Sequence, residues 1–234
     1  PTSQMLRLAA ASAIAGLLLF ALVSPYVVLD FGLFLESVGV ESKMVRGVYD
    51  FPYTRQYRRT PAYIYQILQQ LRFGMGWLPG LLGFGGLAWG AWRLLRSRAR
   101  DEESVLLSWA LPYFLITGSF MVKFMRYMAP LTAVLLILGA GALSSAAARW
   151  PRLRRLCWGL GALALLYSIC WSLAFSSIYH RPFTRHEASL WIYANIPPGS
   201  TITQEEWDDL IPYPLVLNGD YRSPGEYRVL SFPL

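Results

Sequence analysis

Long apolar runs alternate with short polar stretches along most of this chain, and the pattern changes only in its last quarter. The first run extends roughly from Leu6 to Leu29, with an uncharged centre from Ala9 to Val23. The others lie at about Phe73 to Trp92, Val105 to Val122, Tyr127 to Ala148 and Leu156 to Phe175. Each is close to the ~20 apolar residues that a helix needs to cross hydrocarbon. The pattern predicts an all-α polytopic membrane protein with about five transmembrane helices. The transmembrane region covers residues 1–178, and residues 179–234 form a small soluble α/β module.

Between the first two runs, residues 30–72 form a long segment that does not span. Thr60-Pro61 has the composition of an N-cap followed by proline at the first helical position. Ile64, Ile67, Leu68 and Leu71 then recur at helical spacing, with Gln66, Gln69 and Gln70 between them. This predicts a short amphipathic helix lying on the membrane surface, preceded by a loop around Pro52. In the second run, Gly76 and Gly80 are four apart, as are Gly86 and Gly90. That spacing predicts close helix packing, and the run lacks the Lys-Ser/Thr ending of a nucleotide loop. In the terminal module, Thr184 with Glu187 matches a capping box for a helix to about Asn195. Pro197-Pro198-Gly199 stops that helix, and Thr201 to Thr203 and Tyr227 to Phe232 have strand composition.

Composition supports the membrane reading. Apolar residues make up 55 % of the chain and nine tryptophans suit membrane interfaces. The formal charge of +7 sits beside apolar runs and forms no single soluble face, so anionic lipid is the expected partner and nucleic acid is not. Arg93, Arg96, Arg98 and Arg100 make one tight basic loop, and Arg149, Arg152, Arg154 and Arg155 another. With Arg7 they fall on one side, which the positive-inside rule makes cytoplasmic. The loop 30–72, the turn after the third run and the C-terminal module are then exoplasmic. Cys157 and Cys170 lie about 20 Å apart on one expected helix and cannot pair. The start at Pro1 reads as that of a fragment or a processed product.

The candidate chemistry centres on Lys123 and Arg126, between the third and fourth runs. Three residues apart, they would share a helix face. Cations in that place either meet an anionic partner or snorkel to headgroups. Arg55, Arg58 and Arg59 are further cations near the same interface, with plain headgroup contact as the alternative. Tyr53 and Tyr127 hydrogen-bond a phosphate or belong to an aromatic belt. Asp50 is the lone carboxylate near these cations and the candidate catalytic group. Glu205, Glu206, Asp208 and Asp209 form the densest acidic cluster, which would take a divalent cation or form a solvated turn. His180 and His186 have no metal or triad spacing, and His186 is expected on an exposed first turn.

Four stretches together carry a resemblance. They are Ser24 to Asp30; Pro52 to Tyr57, continuing through Thr60-Pro61-Ala62-Tyr63 to Gly74-Met75-Gly76; Lys123-Phe124-Met125-Arg126-Tyr127 with Pro130; and Ala188 to Ile192 through Asn195 to Ser200 and on to Asp209. The chain resembles the later half of bacterial membrane glycosyltransferases of the GT-C class. It is most similar to phospholipid-carrier-dependent relatives of the protein O-mannosyltransferases and the lipid A aminoarabinose transferase. The resemblance implies an enzyme of the bacterial plasma membrane that moves a sugar from a polyprenyl-phosphate donor to an acceptor on the exoplasmic face. It also implies a catalytic acidic residue in a first exoplasmic loop that no segment here matches. The alternative reading is a non-catalytic membrane protein that binds a lipid phosphate, as a carrier translocator or an assembly scaffold.

Overall fold

In a computed structural model, residues 2–205 and 210–232 are described, and the chain is mostly helical with a small α/β part at its C-terminal end. It packs as two units, Pro1–Arg58 with Phe120–Val122, and Arg59–Ser119 with Lys123–Leu234.

The first unit holds α1 (Thr2–Val23), α2 (Tyr26–Leu29) and α3 (Phe31–Val45). The first apolar run thus ends sooner than expected. Proline at 25 offers no N–H to continue the ladder, and α1 stops at Val23. Asp30 then caps the next helix, its carboxylate accepting from the Leu33 N–H at 3.2 Å. The non-spanning segment 30–72 opens with α3, and the expected loop around Pro52 contains a 3-10 turn at Pro52–Tyr57. Met44, Thr54 and Tyr57 are buried in this unit. Val45 O accepts from the N–H groups of Met121 and Val122.

The second unit begins with α4 (Ile64–Gln69), a π-turn (Gln70–Gly74), α5 (Trp77–Leu95) and α6 (Asp101–Ser119). It continues with a 3-10 turn (Met125–Met128), α7 (Ala129–Arg149) and α8 (Arg154–Ser176). Gly76 adopts φ +82 with the Tyr167 ring against it, so the second apolar run restarts as a helix only at Trp77. The acidic residues Asp101, Glu102 and Glu103 fill the first turn of α6, where they complement the helix dipole. Leu87, Leu107, Ala110, Met128, Leu131, Leu135 and Leu138 form the core between α5, α6 and α7.

The glycines do pack helices, in a different grouping from the sequence pairs. A Cβ on Gly86 would lie 2.5 Å from Gly139 N, and one on Gly139 would lie 2.8 Å from Leu82 O. Backbone therefore meets backbone between α5 and α7, as small residues allow. Gly83 lies against Leu135 and Gly86 against Leu138–Gly139, so the two helices run parallel. Gly90 faces Glu103 and Leu107, so α6 runs antiparallel to α5. Both arginine loops then lie at one end of this bundle, and the turn containing Lys123 lies at the other.

Two helical stretches among the described residues are long and apolar enough to cross a membrane, Met125–Arg149 and Pro151–Asn195. Only 28 % and 6 % of their apolar windows are buried, unlike the core helices of soluble proteins, so they point to membrane association. They coincide with the fourth and fifth expected spans. The chain is also helical at the other three, in α1, α5 and α6.

The terminal part carries α9 (Thr184–Asn195), β1 (Thr201–Glu205), β2 (Leu215–Leu217), β3 (Asp220–Arg222) and β4 (Arg228–Phe232). β1 pairs in parallel with β4, Thr201 opposite Arg228, and β2 pairs antiparallel with β3. Phe183 occupies the N-cap position of α9 and supplies no side-chain cap, so the expected Thr184 cap lies one residue too late. The module is held by buried polar contacts. Ser189 Oγ accepts from Tyr213 N–H at 3.2 Å, and the Tyr227 hydroxyl donates to Ile196 O at 3.1 Å. Arg222 is bound to both carboxylate oxygens of Glu226, at 2.8 and 2.9 Å, which raises its pKa above the ordinary arginine value.

Candidate functional site

Lys123 lies between α6 and the 3-10 turn, in a stretch with no helical pairing. It is 3 % exposed, and its ammonium donates to the Thr60 hydroxyl at 3.1 Å. Burial disfavours the charged form and lowers its pKa below 10.5. Thr60, expected to cap a helix, instead turns its oxygen to this cation. The helix begins four residues later, at Ile64.

The local backbone explains how Thr60 is presented. Arg59 and Tyr63 both adopt positive φ, +64 and +59, on either side of Thr60-Pro61-Ala62. Non-glycine residues rarely hold that conformation without support from their surroundings. Tyr63 has such support. Its N–H donates to Gly118 O at 3.1 Å, its hydroxyl donates to Leu115 O at 3.2 Å, and its ring lies where a Cβ on Gly118 would be. The C-terminal end of α6 thus holds the segment that presents Thr60.

More buried polar groups surround this turn. Gln70 Nε2 donates to Met125 O at 3.3 Å, and the Tyr113 hydroxyl donates to Tyr127 O at 2.6 Å. Gln66, four residues before Gln70, is fully buried, and neither end of its side-chain amide finds a partner among the described residues. The expected amphipathic helix therefore does not divide as expected, since Leu71 is buried with two of the glutamines and Ile67 and Leu68 are half-buried. Its glutamines Gln66 and Gln70 face inward, while Ile64 is 57 % exposed. The inward amides supply the interior with hydrogen-bonding groups.

Lys123 and Arg126 do not share a helix face. Arg126 sits on the 3-10 turn, exposed, with its guanidinium 4.3 Å from the centre of the Phe124 ring. It makes no ion pair with a described residue. Tyr127 is half-buried and packs edge-on against Phe124. Arg59 belongs to this same unit and is exposed.

The other site residues belong to the first unit. Asp50 is bound by Arg55 Nε at 3.2 Å and by Arg58 at 2.7 Å. The hydrogen bond from Arg55, with the charges of both arginines, holds its carboxyl below the ordinary value of 3.8. A carboxylate so stabilised is a poor proton acceptor at neutral pH. Tyr53 stacks on Phe51 with ring centroids 5.6 Å apart and donates to Met44 Sδ at 3.2 Å.

Among the described residues, no three His, Cys, Asp or Glu side chains gather as a metal site. Glu206, Asp208 and Asp209 of the acidic cluster lie outside the described residues, as does the side chain of Glu205. Cys157 and Cys170 are free thiols. His186 is half-buried, not exposed, with Nδ1 2.6 Å from the Tyr213 hydroxyl.

The sequence reading missed Thr60 as the partner of Lys123 and Gln66 as a buried polar group. The run of glutamines at 66, 69 and 70 within an otherwise apolar helical pattern was the available signal. No protein-family model, no curated protein and no solved structure matches this chain.

Proposed function

We propose that this chain is part of a polytopic membrane glycosyltransferase and binds the phosphate of a polyprenyl-phosphate sugar at the Lys123 turn. In this reading α1, α5, α6, α7 and α8 are five spans of a bacterial plasma membrane. The Lys123 end of the bundle and residues 179–234 face the exoplasm. The acceptor hydroxyl oxygen attacks the anomeric carbon, the bond from that carbon to the phosphate oxygen breaks, and a base takes the hydroxyl proton. The carrier phosphate leaves with extra negative charge, which fixed cations stabilise. Lys123 serves as the inner point charge and Arg126 as the outer, two-pronged one.

The observation that carries this reading is the buried ammonium of Lys123, held by Thr60 beside a strained loop. A cation kept inside at an energetic cost suits a site that receives an anion. The test is a titration of the chain in nanodiscs with a polyprenyl phosphate. Lys123→Ala should weaken binding about tenfold or more, since a hydrogen bond to a charged group is worth roughly 1.5–3 kcal/mol. Lys123→Arg should retain part of the affinity. Unchanged binding in both Lys123→Ala and Arg126→Ala would make these residues simple anchors.

One observation favours the second reading, a non-catalytic binder of lipid phosphate. Asp50, the candidate base, is occupied by Arg55 and Arg58. Release of carrier phosphate from a polyprenyl-phosphate sugar, followed by phosphorus NMR, separates the two. Binding with no release under any acceptor supports the scaffold.

A further inference from the structure

Alongside the Gly86–Gly139 contact and reaching the arginine end of the bundle, α5 and α7 leave a groove of about 680 Å³ between them. Leu82, Gly85, Trp89 and Leu143 line its apolar length, and its polar mouth is formed by Arg98 and Arg149. Arg93 is already committed there. It pairs with Glu103 at 3.3 Å and donates twice to Arg98 O, at 3.2 and 2.8 Å. This clamp fixes the loop after α5, where Ser97 adopts φ +52, and so fixes the backbone that carries Arg98. Arg98 and Arg149 are exposed and make no ion pair with a described residue. Trp92 and Trp150 flank the mouth, 42 % and 50 % exposed, as amphipathic rings do at the headgroup level.

We propose that this groove holds one acyl chain of an anionic membrane phospholipid, with its phosphate between Arg98 and Arg149. The charge pattern selects this occupant. An apolar channel between helices that opens at two uncommitted guanidinium groups complements a molecule with a fatty tail and an anionic head. A zwitterionic lipid fills the channel equally well but meets the arginines with its own cation beside its phosphate. A polyprenyl phosphate shares the tail-and-phosphate chemistry. The arginine mouth of the groove lies at the opposite end of the bundle from Lys123, so the carrier proposed there and this lipid are separate ligands.

The test counts lipids retained by the chain in native mass spectrometry, after exposure to micelles of phosphatidylglycerol or phosphatidylcholine. One phosphatidylglycerol should be retained in preference to phosphatidylcholine. Replacing both mouth cations, by Arg98→Gln with Arg149→Gln, should reduce that preference roughly tenfold or more. A Cβ on Gly85 meets nothing within 4 Å, so the backbone there admits a side chain, and Gly85→Leu should occupy the channel and abolish retention of either lipid. Arg152→Gln, outside the groove, should leave retention unchanged. If Gly85→Leu fails to fold, the arginine pair still decides. Equal retention of the two lipids by the parent chain would overturn the proposal, as would a preference that survives loss of both arginines. Displacement of phosphatidylglycerol by excess polyprenyl phosphate, unaffected by Lys123→Ala, would also overturn it and assign the groove to the carrier.

Discussion

At the scale of single residues, Lys123 links fold and proposed function. Its lowered pKa means that the folded chain binds fewer protons at this position than the unfolded chain, in the interval between the lowered value and 10.5. Stability rises with pH wherever the unfolded state holds more protons. The cost of the buried charge is thus fully present below the lowered folded pKa and is relieved as pH climbs through it. We expect the thermal midpoint of the parent chain to gain on that of Lys123→Met between pH 7 and pH 10. A parallel pH dependence in the two proteins would show that the ammonium is already fully compensated. Bound lipid phosphate should flatten the slope, because it supplies the anion that favours the charged form.

At the scale of elements, the α5–α7 contact sets the bundle. Gly86→Leu would drive a side chain into the backbone at Leu138 and Gly139, at a cost of roughly 1–3 kcal/mol or more for overpacking. Thermal denaturation in detergent should show a large loss for Gly86→Leu and little change for Gly85→Ala, one residue away, where a Cβ meets open space. Equal effects at the two positions would refute the contact. The long helices were legible in the sequence because runs of that length admit little else, and β1 and β4 because Thr201-Ile202-Thr203 and Tyr227 to Phe232 are β-formers. The β2–β3 hairpin was not anticipated, although Asn218-Gly219 carries a sufficient signal. Both residues adopt positive φ, +53 and +93, which a two-residue hairpin turn requires. Less could be read at the candidate site. A periodic rule assigns glutamines to the wet face, yet tertiary packing places Gln66 and Gln70 inside. Residue spacing likewise put Lys123 and Arg126 on one helix face, whereas the backbone leaves α6 at Ser119 and re-enters a helix only at Met125.

At the scale of the whole molecule, the proposed topology has a direct test. A cysteine at Ser223, in a background lacking Cys157 and Cys170, should react with a membrane-impermeant thiol reagent from the exoplasmic side of intact cells. Labelling only after the cytoplasmic side is opened would invert the arrangement, together with the side assigned to Lys123. The pairing of β1 with β4 also sets an order in time. A ribosome delivers β1 first, and its partner starts only at Arg228, after the β2–β3 hairpin has been made. The hairpin joins near neighbours and closes early, whereas the parallel pair must wait for the intervening chain. During that wait β1 carries an open edge, the kind of surface that recruits stray strands. Synthesis halted between Arg222 and Arg228 would therefore leave helices α1 to α9 complete and one strand adhesive. A chain truncated there should be far more prone to aggregation than one truncated before Thr201.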